Sequence, residues 1–263
     1  MTRTEPHTTA HLASGAAIPL VGLGTWAMRG RECYDAVRYT LDVGYRLVDT
    51  ATMYGNEREV GRAVRDSGVP RDEVWVTTKL PPERAGRERA TIEASLEAMG
   101  LDHVDLWLVH WPPDGDASPR VWERFLEIRA DGLASEVGVS NYDPAQVDAL
   151  VEATGVAPAV NQIPWSPRDY DADRLRHSRD RGVVLEGYSP FKRSDLDDAV
   201  LTDVAATHGM SPAQVVLRWH VEHGVVVIPK SAEPERIAAN LAVFDFALNE
   251  DEVRRIDALS RVD

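Results

Sequence analysis

Short β-branched or leucine-rich runs recur along the chain, and most are followed by a stretch with apolar residues at helical spacing. That alternation predicts parallel βα units. Strands are expected near Pro19 to Gly22, Tyr45 to Asp49, Val74 to Lys79, Val104 to His110, Ser135 to Ser140, Ala159 to Gln162, Val183 to Gly187 and Val225 to Ile228. Helices are expected near Arg31 to Val43, Glu57 to Asp66, Arg87 to Met99, Pro119 to Ala130, Pro144 to Ala153, Tyr170 to Arg181 and Ser211 to Glu222. Two more, near Pro234 to Leu241 and Glu250 to Ser260, follow the last strand. Eight βα units closing on themselves make a (β/α)8 TIM barrel, and about 250 residues is its usual size. Thr9 to Pro19, with a Ser14-Gly15 turn, predicts a β-hairpin under the barrel.

No Gly/Ser linker, low-complexity tract or shift in composition marks a boundary, so residues 1–263 are expected to form a single barrel domain. The loop Pro112 to Asp116 follows the fourth strand and is too short to cover much. A formal net charge of −14 argues against nucleic acid or an anionic membrane as the main partner. The single cysteine, Cys33, excludes an intrachain disulfide, and Met1 to Ala10 carries no apolar export signal. No apolar run reaches transmembrane length. The expectation is a cytoplasmic monomer acting on a small molecule.

Charge usage sharpens the picture. Only Lys79, Lys192 and Lys230 are lysine among 29 Lys and Arg residues, and Lys79 and Lys230 close strand runs. A lysine kept in so arginine-biased a chain marks a task for a compact ammonium whose pKa moves on burial. Reactive groups in such barrels project from the C-terminal ends of strands. Here the second strand ends in Asp49, with Tyr54 shortly after it, the third in Lys79 and the fourth in His110. Separately these residues read as a turn cap, packing or a satisfied core histidine. Together they compose a proton-transfer site: a phenol near pKa 10 is a poor acid unless a neighbouring ammonium helps it. Asp49 would hold Lys79 charged, and His110 would orient a substrate carbonyl or share its proton. No side chain supplies hydride, so a nicotinamide cofactor is required.

The series Gly22-Leu23-Gly24-Thr25-Trp26, Asp49-Thr50-Ala51, Tyr54-Gly55-Asn56-Glu57, Lys79, His110-Trp111-Pro112, Gly138-Val139-Ser140-Asn141, Asn161-Gln162 and Ile228-Pro229-Lys230-Ser231 resembles the aldo-keto reductases. The likeness spans nearly the whole chain. Within the family it is nearest to the compact bacterial reductases of diketo-gluconate and similar small carbonyls. The resemblance implies a catalytic tetrad of Asp49, Tyr54, Lys79 and His110, with Tyr54 the general acid. It implies that Ser140, Asn141 and Gln162 hold the nicotinamide carboxamide, that Tyr188 stacks on its ring, and that Lys230, Ser231 and Arg236 grip the 2′-phosphate of NADPH. Asn240 joins the cofactor contacts. The implied reaction is reversible reduction of small aldehydes, ketones or diketones by NADPH, with no metal.

Three features depart from that family pattern. Ala239 stands where relatives carry a glutamate that contacts adenine, Glu233 adds negative charge near Lys230, and the chain stops at Asp263 without a specificity loop. An open pocket walled by Trp26, Tyr54, Trp111 and Trp165 is therefore expected, although each Trp could instead be core packing. Gly22 to Ala27 also fits a G-x-G-x-x-A fingerprint with Asp49 lying 25 residues past Gly24, and Tyr188 with Lys192 mimics a Tyr-x-x-x-Lys pair. Pro190 between them argues against the shared helix face which that pair needs. His220 and His223 lack a nearby third metal ligand and read as packing or surface residues. Two other functions stay open: a Schiff-base barrel aldolase using Lys79 if burial depresses its pKa, and a non-catalytic nicotinamide-binding regulator.

Overall fold

A computed structural model describes residues 8–113 and 117–261. Two short antiparallel strands, β1 (Thr9–His11) and β2 (Ala17–Pro19), form the expected hairpin, turned by Gly15 at φ 92°. The barrel strands follow: β3 (Leu23–Gly24), β4 (Leu47–Asp49), β5 (Trp75–Leu80), β6 (Val104–Val109), β7 (Ala134–Ser140), β8 (Val160–Pro164), β9 (Val184–Tyr188) and β10 (Val226–Val227). All eight pair in parallel and in sequence order. They read as near-continuous apolar runs because both faces are covered, one by the barrel interior and one by helices.

The ends of that sheet meet. Val21 bridges Val227, the Gly22 amide donates to Val227 O at 2.9 Å, and the Gly24 amide to Pro229 O at 3.2 Å. Glycine is required at this seam: a Cβ on Gly24 would lie 2.7 Å from Ile228 O, and one on Gly22 would lie 2.4 Å from Leu47 Cγ. The run predicted as one strand from Pro19 to Gly22 is thus divided. Its start belongs to the hairpin, and its end to the seam.

Around the barrel lie α1 (Gly30–Asp42), α2 (Glu57–Asp66), α3 (Glu88–Met99), α4 (Ala117–Ala130), α5 (Pro144–Thr154), α6 (Ala172–Asp180), α7 (Ala199–His208), α8 (Pro212–Glu222), α9 (Pro234–Leu241) and α10 (Glu250–Asp257). α5, α8 and α10 start on capping boxes, Asp143 with Gln146, Ser211 with Gln214 and Asn249 with Glu252. The pattern had not predicted α7, and it ran the last helix on through what is a 3₁₀ turn, Ala258–Arg261. Packing between helix and barrel is close, as where Trp107 of β6 stacks on Phe125 of α4 at 3.9 Å and 6°. Ala13 of the hairpin turn packs beside Gly182, at the N-terminal end of β9, which closes that end of the barrel. Residues 114–116 of the loop after β6 lie outside the described residues.

Candidate active site

Asp49 ends β4 and Lys79 lies one residue from the end of β5, so both side chains sit at the C-terminal end of the barrel interior. Lys79 is fully buried, and its Nζ donates to Asp49 Oδ1 and Oδ2 at 2.6 and 2.7 Å and to Thr50 O at 2.8 Å. The Tyr54 hydroxyl is a further hydrogen-bonding neighbour of this ammonium. Burial works against the charge on Lys79, but Asp49, Tyr54 and Glu186 outweigh it and hold its pKa above the ordinary lysine value. An amine poised for Schiff-base chemistry needs the opposite shift, so the condition set for the aldolase alternative is not met.

Tyr54 is delivered by a pinned loop. A 3₁₀ turn over Thr52–Tyr54 ends on left-handed Gly55, and the adjacent Asn56 is buried. Asn56 Nδ2 donates to Thr25 O and Met28 O at 2.9 and 3.1 Å, while its Oδ1 accepts from Thr50 Oγ1 at 2.6 Å. The loops after β3 and β4 are thus tied together by one amide. The Tyr54 ring then lies 5.2 Å from Lys79 Nζ and edge-on to His110 at 5.8 Å. Burial raises the phenol pKa and Lys79 pulls it back only in part, so the net direction is upward rather than the lowering expected from the sequence.

His110 follows β6 directly and stacks on Trp111 at 4.1 Å. Burial, reinforced by Lys79, takes its pKa down to about 2, which leaves the imidazole neutral. Its Nδ1 is buried without a hydrogen-bond partner. Acid, phenol, ammonium and imidazole thus converge as the strand ends indicated.

A further member went unrecognised in the sequence. Ser140, Gln162 and Glu186 stand level on β7, β8 and β9. Gln162 Nε2 donates to Asp49 Oδ2 at 2.9 Å and to Glu186 Oε1 at 3.0 Å, bridging two buried carboxylates across the barrel. Glu186 has no exposed surface and its Oε2 lacks a partner. One ammonium serves two acids here; burial first and then Asp49 push the Glu186 pKa up to about 8, so near neutrality the carboxyl is largely protonated. Burial raises the Asp49 pKa too, against the opposing pull of Lys79 and Gln162, and Asp49 is the acid that pairs with Lys79.

Beside this cluster lies a hydrogen-bonded group of hydroxyl and amide side chains. Ser140 Oγ donates to Gln162 O at 2.8 Å, and Asn141 Nδ2 donates to Ser140 Oγ and His110 O, each at 3.0 Å. Asn141 has φ 64°, an uncommon left-handed value for a residue other than glycine. It does not cap α5, since Asp143 does. Half-buried Tyr188 donates its hydroxyl to Asn141 Oδ1 at 2.8 Å, which fixes its ring beside these groups. The side-chain donors of Ser140, Asn141 and Gln162 are all engaged, while Gln162 Oε1 and a lone pair of Asn141 Oδ1 are free to accept. A carboxamide fits, its NH₂ meeting those acceptors and its oxygen drawing one donor, such as the Ser140 hydroxyl, off an internal bond.

The remaining predicted residues divide. Lys230 is exposed at the end of the run after β10, and Arg236 is exposed on the first turns of α9. Ser231 is buried, its Oγ accepting from the Glu233 amide at 3.1 Å. Asn240 is buried near the end of α9. Trp26 and Trp111 are exposed large apolar residues, as a pocket wall requires, and Met53 of the Tyr54 turn is a third. Trp165 is not one: it is buried against Trp219 and Tyr170. Lys192 lies exposed in the loop after β9 and shares no helix with Tyr188. His220 is core, each ring nitrogen meeting a backbone oxygen, and no metal-binding group occurs among the described residues.

The model of the aldo/keto reductase family matches residues 20–261. The chain belongs to this family. This aldo/keto reductase is 42% identical over 266 residues to morphine 6-dehydrogenase of Pseudomonas putida, covering 95% of this chain and 90% of that one. It is also 42% identical over 258 residues to 2,5-diketo-D-gluconic acid reductase B of Corynebacterium sp., covering 96% and 93%. Among solved structures, an aldo/keto reductase from Brucella melitensis superposes with a TM-score of 0.91 at 38% identity, over 95% of this chain and 98% of that one. An aldo-keto reductase of Bombyx mori in complex with NADP gives 0.91 at 32% identity, over 95% and 92%. The barrel and the oxidoreductase class of this family member are thereby established. No helix among the described residues of this aldo/keto reductase is long and apolar enough to cross a membrane.

Proposed function

We propose that this chain is an NADPH-dependent carbonyl reductase of small aldehydes, ketones or diketones, with Tyr54 as general acid. The observation that carries the reading is the placement of the Tyr54 ring between a fully charged Lys79 and a neutral His110 at the mouth of the barrel. The bound nicotinamide supplies hydride to the carbonyl carbon. Every other step belongs to the chain. Ser140, Asn141 and Gln162 hold the carboxamide, and Tyr188 supports the ring. His110 orients the substrate oxygen: its orphaned Nδ1 is better left as an unpaired acceptor than as a buried unpaired N–H, which puts the proton on Nε2 and makes that atom the donor.

As negative charge develops on the carbonyl oxygen, the Tyr54 hydroxyl gives it a proton. A phenol with a raised pKa remains a stronger acid than an alcohol, so the transfer runs downhill once hydride has arrived. Lys79 stabilises the phenolate left behind, and Asp49 keeps Lys79 in place. The reverse sequence oxidises an alcohol. Lys230, Ser231 and Arg236 would meet the 2′-phosphate, with Asn240 among the adenosine contacts.

A purified chain should oxidise NADPH in the presence of an aldehyde, diketone and keto-sugar panel, followed by loss of reduced-nicotinamide absorbance. Tyr54→Phe is expected to lower kcat by about 10³-fold while cofactor affinity, read by tryptophan fluorescence, stays unchanged. Near-full turnover in that variant would refute the proton-donor assignment. Binding without turnover across the panel would favour the regulatory alternative.

A further inference from the structure

The surface expected to meet the cofactor's 2′-position is not purely cationic. Glu233 stands immediately before α9, and its Oε2 lies 2.9 Å from Arg236 Nε, with the two side chains 60% and 72% exposed. The same residue engages Ser231 through its backbone: its amide donates to Ser231 Oγ at 3.1 Å, and its carbonyl accepts from that hydroxyl at 3.4 Å. Of the three groups assigned to the phosphate, two are therefore tied to Glu233, Arg236 by an ion pair and Ser231 by backbone hydrogen bonds, while Lys230 has no ion pair among the described residues. A second acid, Glu235, follows in the first turn of α9.

Nucleotide sites distinguish the two nicotinamide cofactors by opposite chemistry: a carboxylate accepts from a ribose 2′-hydroxyl, whereas an arginine pairs with a 2′-phosphate. Glu233 and Arg236 place both recognition groups side by side in one ion pair. Resting on the cofactor assignment above, we propose that Glu233 sets the cofactor discrimination of this chain, holding the preference for NADPH over NADH to a modest level. When a 2′-phosphate arrives, Arg236 must exchange Glu233 for it, and the displaced carboxylate is left facing a dianion. When a 2′-hydroxyl arrives, the ion pair stays intact and Glu233 has a free oxygen to accept from it. Both outcomes move the ratio the same way.

The test is Glu233→Gln, which keeps the shape and removes the charge. Dissociation constants are measured on the full chain for NADPH and NADH by tryptophan fluorescence, and for adenosine 2′,5′-bisphosphate and 5′-AMP by calorimetry. The variant is expected to bind NADPH and the bisphosphate about tenfold more tightly, and NADH and 5′-AMP, which share the free 2′-hydroxyl, about two- to threefold more weakly. Because both side chains are exposed, the gain should shrink as salt is raised. An NADPH-to-NADH ratio that does not change in Glu233→Gln, while Lys230→Met still weakens NADPH, overturns this inference alone. A wild-type chain that binds neither cofactor overturns the proposed function beneath it.

Discussion

Two lysines end two strand regions of the same barrel, and their surroundings are opposite. Lys79 is sealed inside, its ammonium bonded to Asp49 and Thr50. Lys230 stands in solvent with no ion pair among the described residues, next to an Arg236 held only by an exposed glutamate. A charge that must tune a neighbour's acidity is most effective in a low dielectric, and it survives there only with its partner built in. A charge meant to seize an arriving anion has to be left free. In the proposed function, burial and pairing would thus separate an electrostatic instrument from a binding handle, although both are the same amino acid.

The contrast breaks most sharply at Lys79. Lys79→Met strands the buried Asp49 carboxylate and should destabilise the fold by about 3–5 kcal/mol, read from urea unfolding, with turnover lost as well. Adding Asp49→Asn should recover part of the stability and none of the activity. If single and double variants unfold alike, the two side chains do not act as a pair.

Glu186 is the surplus acid of the buried cluster. Its folded pKa, about 8, exceeds the ordinary carboxyl value, so the folded state retains a proton that the unfolded chain releases. Stability should therefore fall as pH rises through that interval. Glu186→Gln removes the effect: its gain over the wild type should be near zero at pH 4, grow to the order of 4 kcal/mol by pH 8, and level off above it. A stability difference that does not vary with pH would show that folding does not raise the pKa of this carboxyl.

Lys230→Met should give the smallest effect on the fold, within about 0.5 kcal/mol, because nothing packs on an exposed ammonium. Its NADPH affinity should drop about tenfold with NADH nearly unchanged. Equal losses for the two cofactors would remove the 2′-phosphate role from this residue.

The sequence made the barrel legible because parallel strands covered on both faces leave long apolar runs, and the residues that end those runs are the ones facing the mouth. Asp49, Lys79 and His110 were visible for that reason, and Tyr54 because it follows Asp49 closely. α7 was not, since Leu201, Val204 and Ala205 alone are buried in a segment otherwise rich in alanine and threonine. Glu186 was missed on different grounds. A glutamate inside Val183 to Tyr188 reads as a solvent-facing position, and only closure of the sheet puts it opposite Asp49, with Gln162 between them. The reading of Tyr54 also needed coordinates: spacing indicated an ammonium nearby, but burial, which sequence does not report, decides the direction of the phenol's shift.

The seam between β3 and β10 bears on how the chain is made. Val21 and Val227 are 206 positions apart, so at roughly 5–20 residues per second of synthesis the first barrel strand leaves the ribosome about 10–40 s before its last neighbour exists. For that interval one side of β3 is an unpaired strand edge, the kind that recruits other chains. β3 is two residues long, with glycine at its end and just before its start. The glycines that permit closure at the finish also leave nascent chains little to pair with while they wait.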